Sequence, residues 1–463
     1  MLFRSACALY LFPTKALTYD QHQNLLRLLK EIDPDFQNIC VVYDGDTPTS
    51  QRSAYRRQAR LLMTNPDMLH TAILPHHTQW AQFFQNLRFV VLDELHTYRG
   101  VFGSHIANLL CRLKRIASFY GVTPTFLMTS ATIANPRELS ESLIQSQVIC
   151  IDEDGSPHGV QHFITYNPPI IHPEFGIRRS ATAESIDLVN DLLQHNVQSI
   201  LFVRSRRSVE TALIELRAKS LSSRQSIRGY RSGYLPKERR EIEAGLRNGE
   251  IKTVIATNAL ELGIDIGDLE AVVMVGYPGS IAALRQQAGR AGRRDNTSLA
   301  VFVASANPLD QYLAQNPSYL QSHSPERALV NPNNPLILLS HLRCAAFELP
   351  FTDTDTFGNL SAQTLAEYLL VLCQMGYITQ SGRSFFWIAD QYPAQTVSLR
   401  SANAQNILLQ SIQGQKRITI GEIDYTSSLW MTHPGAIYIH EGETYEVIRS
   451  EEHTSELQSP NTI

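Results

Sequence analysis

No Gly-Lys-Ser/Thr phosphate loop occurs anywhere in these 463 residues, so the chain carries no readable turn for gripping a triphosphate. It also lacks any apolar run of the roughly 18 residues that a membrane-spanning helix needs. Cysteine is scarce: six, at positions 7, 40, 111, 150, 344 and 373, with no C-x-x-C pair and no histidine at ligand spacing. That excludes a readable zinc site and offers no disulfide framework, which suits a reducing cytoplasmic setting. Cys40, Cys111 and Cys373 sit among apolar neighbours, as small core residues do. Charge of one sign is missing too: 40 Lys and Arg against 44 Asp and Glu leave a net −4, so no global field advertises a polyanionic partner.

The basic residues are clustered instead. Arg52, Arg56, Arg57 and Arg60 form one group, and Arg204, Arg206 and Arg207 another. Arg228, Arg231, Lys237, Arg239 and Arg240 form a third, and Arg290, Arg293 and Arg294 a fourth. Each alone reads as a solvated helix face; together they can line a groove that neutralises phosphates. With 43% hydrophobic and 18% charged residues the composition is that of a globular protein. The length predicts about two to four domains.

Both ends read as foreign. Arg449 to Ser459 (RSEEHTSELQS) matches the translation of a sequencing-adapter oligonucleotide, and Leu2-Phe3-Arg4-Ser5 matches its other end. Residues 1–5 and 449–463 are therefore set aside from fold reasoning, leaving 6–448 as an internal piece of a longer gene.

Between those ends, short non-alternating apolar runs alternate with helical patterns. Ala8–Phe12, Ile39–Tyr43, Arg60–Met63, Arg88–Leu92 and Thr125–Met128 have the continuous apolarity of parallel strands buried on both faces. Tyr19–Ile32 and Gly103–Tyr120 read as helices between them, the second ending at Gly121. A Pro-, Gly- and His-rich stretch, 153–183, reads as a linker. The rhythm then resumes with Ser199–Val203, Thr253–Ala256, Ala271–Val275 and Leu299–Val303. Leu336–Glu348, Thr364–Met375 and the turn-flanked Phe385-Phe386-Trp387 suggest a winged-helix module over 331–395. Strand-like segments from 396 to 448 suggest the start of a β-rich domain.

Four motifs sit at the ends of apolar runs: Asp93-Glu94-Leu95-His96, Ser130-Ala131-Thr132, Ala256 through Asp265, and Gln286 through Arg294 (QQAGRAGRR). A buried strand ending in two carboxylates places them where α/β sheets bind ligands. The same pair at an acidic helix start would serve the dipole alone. Ser130 and Thr132 equally suit a helix cap, and Arg290 and Arg293, three apart, read as one helix face.

Taken together the motifs resemble motifs II, III, V and VI of superfamily 2 helicases. Tyr43 to Pro48, Thr64 to His70, Asp93 to Ser104 and His433 to Tyr438 resemble, more narrowly, the bacterial and fungal DExH helicases related to mitomycin repair factor A, over residues 6–448. The resemblance implies two tandem RecA-like parallel-sheet lobes, 6–152 and 184–330. The first is incomplete, lacking the phosphate-loop strand; that strand is expected centrally, so that its loss leaves a gap with two unpaired edges. It implies ATP and Mg²⁺ as cofactors, and DNA, single-stranded or 3′-tailed, as partner. Asp93 would hold Mg²⁺, Glu94 act as general base and His96 report the nucleotide state. Arg290 and Arg293 would reach the γ-phosphate as arginine fingers, with Gln286 beside them, and Asp265 would touch the ribose or help couple the lobes. Ser130, Ala131 and Thr132 would couple hydrolysis to movement. Thr14, Lys15, Thr64, Asn65, Asp67, Arg204 and Thr257 would hold the strand's phosphates, positioning it without reading its sequence. Family members are ATP-dependent 3′→5′ DNA helicases of DNA repair, with a four-cysteine site that this chain lacks. An RNA helicase and a non-catalytic nucleic-acid-binding protein remain the alternatives. Without its phosphate loop the chain is expected to be inactive alone.

Overall fold

The computed structural model describes residues 5–32, 38–131, 133–153, 155, 159–220, 224–261, 266–267, 269–292, 297–400, 406–413, 416–441, 443–450 and 454–458. Two compact units result, each made of two stretches of chain: Met1–Asp152 with Arg327–Ala402, and Glu153–Glu326 with Asn403–Ile463. No helix of the described residues is long and apolar enough to cross a membrane.

The first unit opens with a parallel sheet of β1 (Cys7–Leu11), β2 (Cys40–Val42), β3 (Leu61–Thr64), β4 (Leu87–Leu92) and β5 (Thr125–Met128). Its order is β2-β3-β1-β4-β5. Leu9, Leu62, Val90 and Leu92 are fully or almost fully buried in a core shared with helix Gly100–Phe119, as two-sided strands of a parallel sheet require. Gly103 permits the close approach of that helix, because a Cβ there would lie 2.3 Å from the Tyr98 carbonyl and 2.5 Å from Val330 Cγ1. The expected central gap is corrected by the pairing. β4 and β5 join directly, Leu92 opposite Met128, so the strands bearing the acids and the Ser-Ala motif are neighbours. β5 is the edge of the described sheet, with Thr125 and Leu127 exposed, and no gap splits the described strands.

The second unit holds a six-stranded parallel sheet. Its strands come from β6 (Gln161–Tyr166), β9 (Ser199–Phe202), β10 (Ile227–Tyr230), β11 (Thr253–Ala256), β12 (Ala271–Val275) and β13 (Ser298–Val303), with a separate hairpin of β7 (Ile170–His172) and β8 (Ile177–Arg178). The order is β10-β11-β9-β12-β13-β6. The stretch 153–183 is thus more than a linker: all six residues of β6 pair with β13, from Gln161–Ser298 to Tyr166–Val303. Its alternating, largely exposed residues lack the apolar run that marks the other strands.

Helix Pro335–Glu348, capped by Asn334, and helix Ala362–Gln374, capped by Ser361, pack on a small antiparallel sheet. That sheet comprises β14 (Phe351–Thr352), β15 (Ile378–Ser381) and β16 (Ser384–Trp387), in the order β14-β16-β15. Leu338, Leu342, Phe351, Leu365, Leu369 and Phe385 form its core, and this winged-helix module folds with the first sheet. Its seat is polar and buried. Arg112 of helix Gly100–Phe119 meets Glu348, with Nε 3.1 Å from Oε2, while Arg112 Nη1 donates to His70 Nδ1 at 2.7 Å and His341 Nδ1 at 3.3 Å.

The last strands are β17 (Asn406–Gln413), β18 (Lys416–Asp424), β19 (Ile437–His440), β20 (Glu443–Ser450) and β21 (Thr454–Gln458), in the order β18-β17-β21-β20-β19. The adapter-like tail thereby supplies β21, paired with β17 and β20. The module folds with the second sheet through buried Arg231. Its Nε lies 2.6 Å from Glu210 Oε1, and Nη2 donates to Tyr438 Oη at 3.2 Å and the Ile439 carbonyl at 3.0 Å.

Candidate nucleotide and nucleic-acid site

β4 ends at Leu92, and the next two residues turn sharply outward. The Asp93 amide still donates to the Leu11 carbonyl at 3.1 Å, so the sheet fixes its backbone. One carboxylate oxygen, Oδ1, accepts the Glu94 amide at 2.9 Å and the Thr129 hydroxyl. Its other oxygen takes no hydrogen bond among the described residues. Glu94 adopts φ 52°, a left-handed conformation that glycine tolerates and glutamate adopts only when its surroundings impose it. The surroundings are visible: the Leu95 amide bonds the Thr129 carbonyl at 2.8 Å, and Thr97 returns to the Glu94 carbonyl from both its amide and its hydroxyl. The strained turn directs the carboxylate toward His96, with Oε2 3.3 Å from Nδ1. Ser130 and Ala131 are exposed just beyond Thr129, and Thr132 lies outside the described residues. Thr129, which the motif reading passed over, is the residue that ties β5 to Asp93; its signal was adjacency to Ser130.

The strand-contact candidates divide. Thr14 caps helix Lys15–Ile32, its hydroxyl accepting the Leu17 amide at 3.3 Å, and Lys15 is exposed with Nζ 2.9 Å from Asp46. Thr64 is wholly buried, its hydroxyl donated to the Tyr43 carbonyl at 2.6 Å. This corrects its assignment: the side chain staples two strands and offers nothing to a phosphate. Asn65 is also buried, its oxygen accepting the Met68 amide at 2.9 Å. Asp67 is paired with Arg400, Nε to Oδ2 2.9 Å. The same guanidinium donates to the Pro13 carbonyl and lies 4.4 Å over the Phe102 ring. Arg400 therefore joins the turns after β1 and β3. No local pattern could have found it, because its hydrogen-bonded partners are 333 and 387 positions away in the chain.

In the second unit, Thr257 follows β11 and is buried, while Arg204 follows β9 with its guanidinium half exposed and Nη2 3.1 Å from both oxygens of Asp310. The expectation of a helical arginine pair is corrected. Helix Ile281–Ala288 holds Gln286 but stops at Gly289, so Arg290 lies in the following turn. Gly292, at φ +80°, is itself in the left-handed region that glycine tolerates. Arg290 is buried, with Nη2 donating to the Glu261 carbonyl. Asp265 and Arg293 lie outside the described residues.

Two parallel sheets, the first ending in a strained Asp-Glu turn beside an Asp-bound threonine, define a motor core of superfamily 2 helicases. Residues 3–139 match the family described as DEAD/DEAH box helicase. Residues 184–295 match the helicase conserved C-terminal domain, and 330–402 the winged helix domain of ATP-dependent helicase HRQ1. The chain is 50% identical to the uncharacterized ATP-dependent helicase YprA of Bacillus subtilis, over 95% of this chain and 58% of the relative. It is 39% identical to ATP-dependent helicase HRQ1 of Saccharomyces cerevisiae, over 95% and 42%. The crystal structure of the DUF1998 helicase MrfA bound to DNA and AMPPNP superposes with a TM-score of 0.92 at 48% identity, over 98% of this chain and 64% of that one. Within its class, the chain belongs with the superfamily 2 helicases of the MrfA type. It spans about half the length of the curated relatives it matches.

Proposed function

We propose that the chain is the motor core of an ATP-dependent helicase that moves 3′→5′ on single-stranded or 3′-tailed DNA in the service of DNA repair. The observation that carries this reading is the Asp93–Glu94–His96 turn. The donor set suits magnesium, which binds through one or two carboxylates and otherwise through water and phosphate. Asp93, with one oxygen anchored by Thr129 and the Glu94 amide, would hold the ion through the other. When bound, Mg²⁺-ATP would supply a phosphoryl group whose developing charge the ion helps to neutralise. Glu94, held against His96, orients a water and takes its proton. Thr14, Lys15, Arg204 and the turns they stand on grip the strand's phosphates. Gln286 and Arg290 act on the γ-phosphate, with Asp265 and Arg293 as further candidates. Ser130, Ala131 and Thr132 carry the coupling.

DNA enters this reading through the DNA-bound MrfA structure. By themselves the 463 residues, without a phosphate loop, bind nucleic acid but do not turn over ATP. Joined to a phosphate-loop segment, the protein should hydrolyse ATP faster with DNA present and unwind 3′-tailed but not 5′-tailed duplexes. Stimulation by RNA but not by DNA single strands would overturn the DNA assignment in favour of an RNA helicase. No stimulation by either, with binding retained, would make it a non-catalytic nucleic-acid binder.

A further inference from the structure

Where β9, β12 and β13 end, they meet the start of helix Ala181–Gln194 around a cavity of about 330 Å³. Arg178, Arg179 and Arg204 line it, together with Ser180, Ser208 and Ser305. Such a volume exceeds the roughly 30 Å³ share of a water molecule about tenfold. It opens at the carboxyl ends of parallel strands, where sheets of this kind take their ligands.

Arg204 is held in place rather than trailing in solvent. Buried Asp310 accepts both amide and hydroxyl of Ser305, at 2.8 and 2.6 Å, and the Tyr277 amide at 3.3 Å, before it takes Arg204 Nη2. Gly276, at φ +72°, makes room for this pair: a Cβ there would stand 2.4 Å from Arg204 Nη2 and 2.8 Å from Asp310 Oδ2. Only Nη2 is spent on Asp310, so Nε and Nη1 remain as donors. Arg178 is likewise tethered by one bond, Nη1 to the Pro168 carbonyl at 2.7 Å, leaving the rest of its fork. Arg179 is different, since Glu184 and Asp187 occupy both its terminal nitrogens at 2.6 Å. Two anchored forks with spare donors, ringed by hydroxyls, match a tetrahedral oxyanion better than an apolar or cationic guest.

We propose that this cavity is a subsite for one phosphodiester of a bound nucleic-acid strand, gripped by Arg178 and Arg204. The inference rests on the nucleic-acid reading above and adds to it the stretch before helix Ala181–Gln194, which no motif marks.

The test measures binding of a labelled oligothymidylate by fluorescence anisotropy across a salt series, using the 463-residue chain. Arg178→Gln should weaken binding several-fold at low salt. It should also flatten the slope of log K against log salt by about 0.7, the value for one single-strand phosphate contact. Arg178→Lys should restore the slope, because it keeps the charge. Matching melting curves separate this from unfolding. Inorganic phosphate, compared with chloride at equal ionic strength, forms a second arm. If the unaltered chain does not bind the oligonucleotide, the nucleic-acid reading itself falls. If it binds and Arg178→Gln keeps full affinity and slope, the subsite falls. If Arg178→Gln leaves DNA binding intact but abolishes a rise in melting temperature that phosphate, and not chloride, gives the unaltered chain, the cavity takes the free ion and the strand assignment is overturned.

Discussion

Arg112 and Glu348, 236 positions apart, form an ion pair in which the side chains are 0% and 1% exposed. Burial alone would weaken the arginine's hold on its proton, and the Glu348 carboxylate outweighs it, keeping the guanidinium charged. Two histidines complete the cage. His70 offers Nδ1 to Arg112 while Nε2 reaches the Val397 carbonyl at 3.2 Å, and His341 Nε2 meets His105 Nδ1 at 3.0 Å. Because every partner comes from either the first sheet's helices or the winged-helix module, the pair makes these one mechanical body.

Removing half of this pair should cost far more than removing all of it. Arg112→Ala leaves Glu348 as a buried unpaired charge, a situation worth about 3–5 kcal/mol. Arg112→Met combined with Glu348→Leu should recover a large part of that loss, since apolar side chains of similar volume need no partner. Urea unfolding of the first unit checks this; equal losses in both variants would show that the charge pair is incidental.

Acid should loosen the same joint. Burial, and then the Arg112 charge, push His70 down to about 3 and hold His341 well below its ordinary value. Both rings therefore bind protons more readily in the unfolded chain. Their contribution is fully present above about pH 6.5 and is lost as pH falls toward the folded values, at about 1.4 kcal/mol per histidine per pH unit. The melting temperature of the first unit should drop between about pH 7 and 5, and His70→Gln should shallow that drop. A pH-independent melt would count against it.

Glu94→Gln, in a protein completed with a phosphate loop, should lower ATP turnover at least about a hundredfold while leaving nucleotide and DNA affinity nearly unchanged. It removes the base and little binding energy. Turnover near that of the unaltered protein would show that Glu94 merely pairs with His96.

Arg290 presents two roles that one pair of variants separates. Arg290→Ala should reduce hydrolysis by roughly 10³ or more if the group acts on the γ-phosphate. Arg290→Lys keeps a donor for the Glu261 carbonyl but loses the planar fork, so it should stay defective. Recovery of activity in the lysine variant would make Arg290 a brace for the turn at Glu261.

What the sequence made legible follows from locality. Buried parallel strands need unbroken apolar runs, so Thr125–Met128, Thr253–Ala256 and Ala271–Val275 stand at the boundaries their runs mark. Asp93 and Glu94 are contiguous and visible together. β6 is hidden because its mixed polar and apolar residues form no continuous apolar run, and the helix expected through Arg290 stops at Gly289. Thr64 has the residue type of a phosphate contact, but its burial depends on Tyr43 across the sheet. Arg112 meets Glu348, Arg231 meets Tyr438 and Arg400 meets Pro13 over 236, 207 and 387 positions, and no local window of sequence contains such pairs.

The pairing of Arg112 with a residue 236 positions later also sets a clock during synthesis. At about 5–20 residues per second, a ribosome needs on the order of tens of seconds to deliver Glu348 after Arg112. Throughout that interval Arg112, with His70 and His105, waits for His341 and Glu348 while the whole second sheet is being made. The first unit is begun first and stays open until the second sheet has been made, so its nascent form has a long exposure to holdase chaperones and proteases.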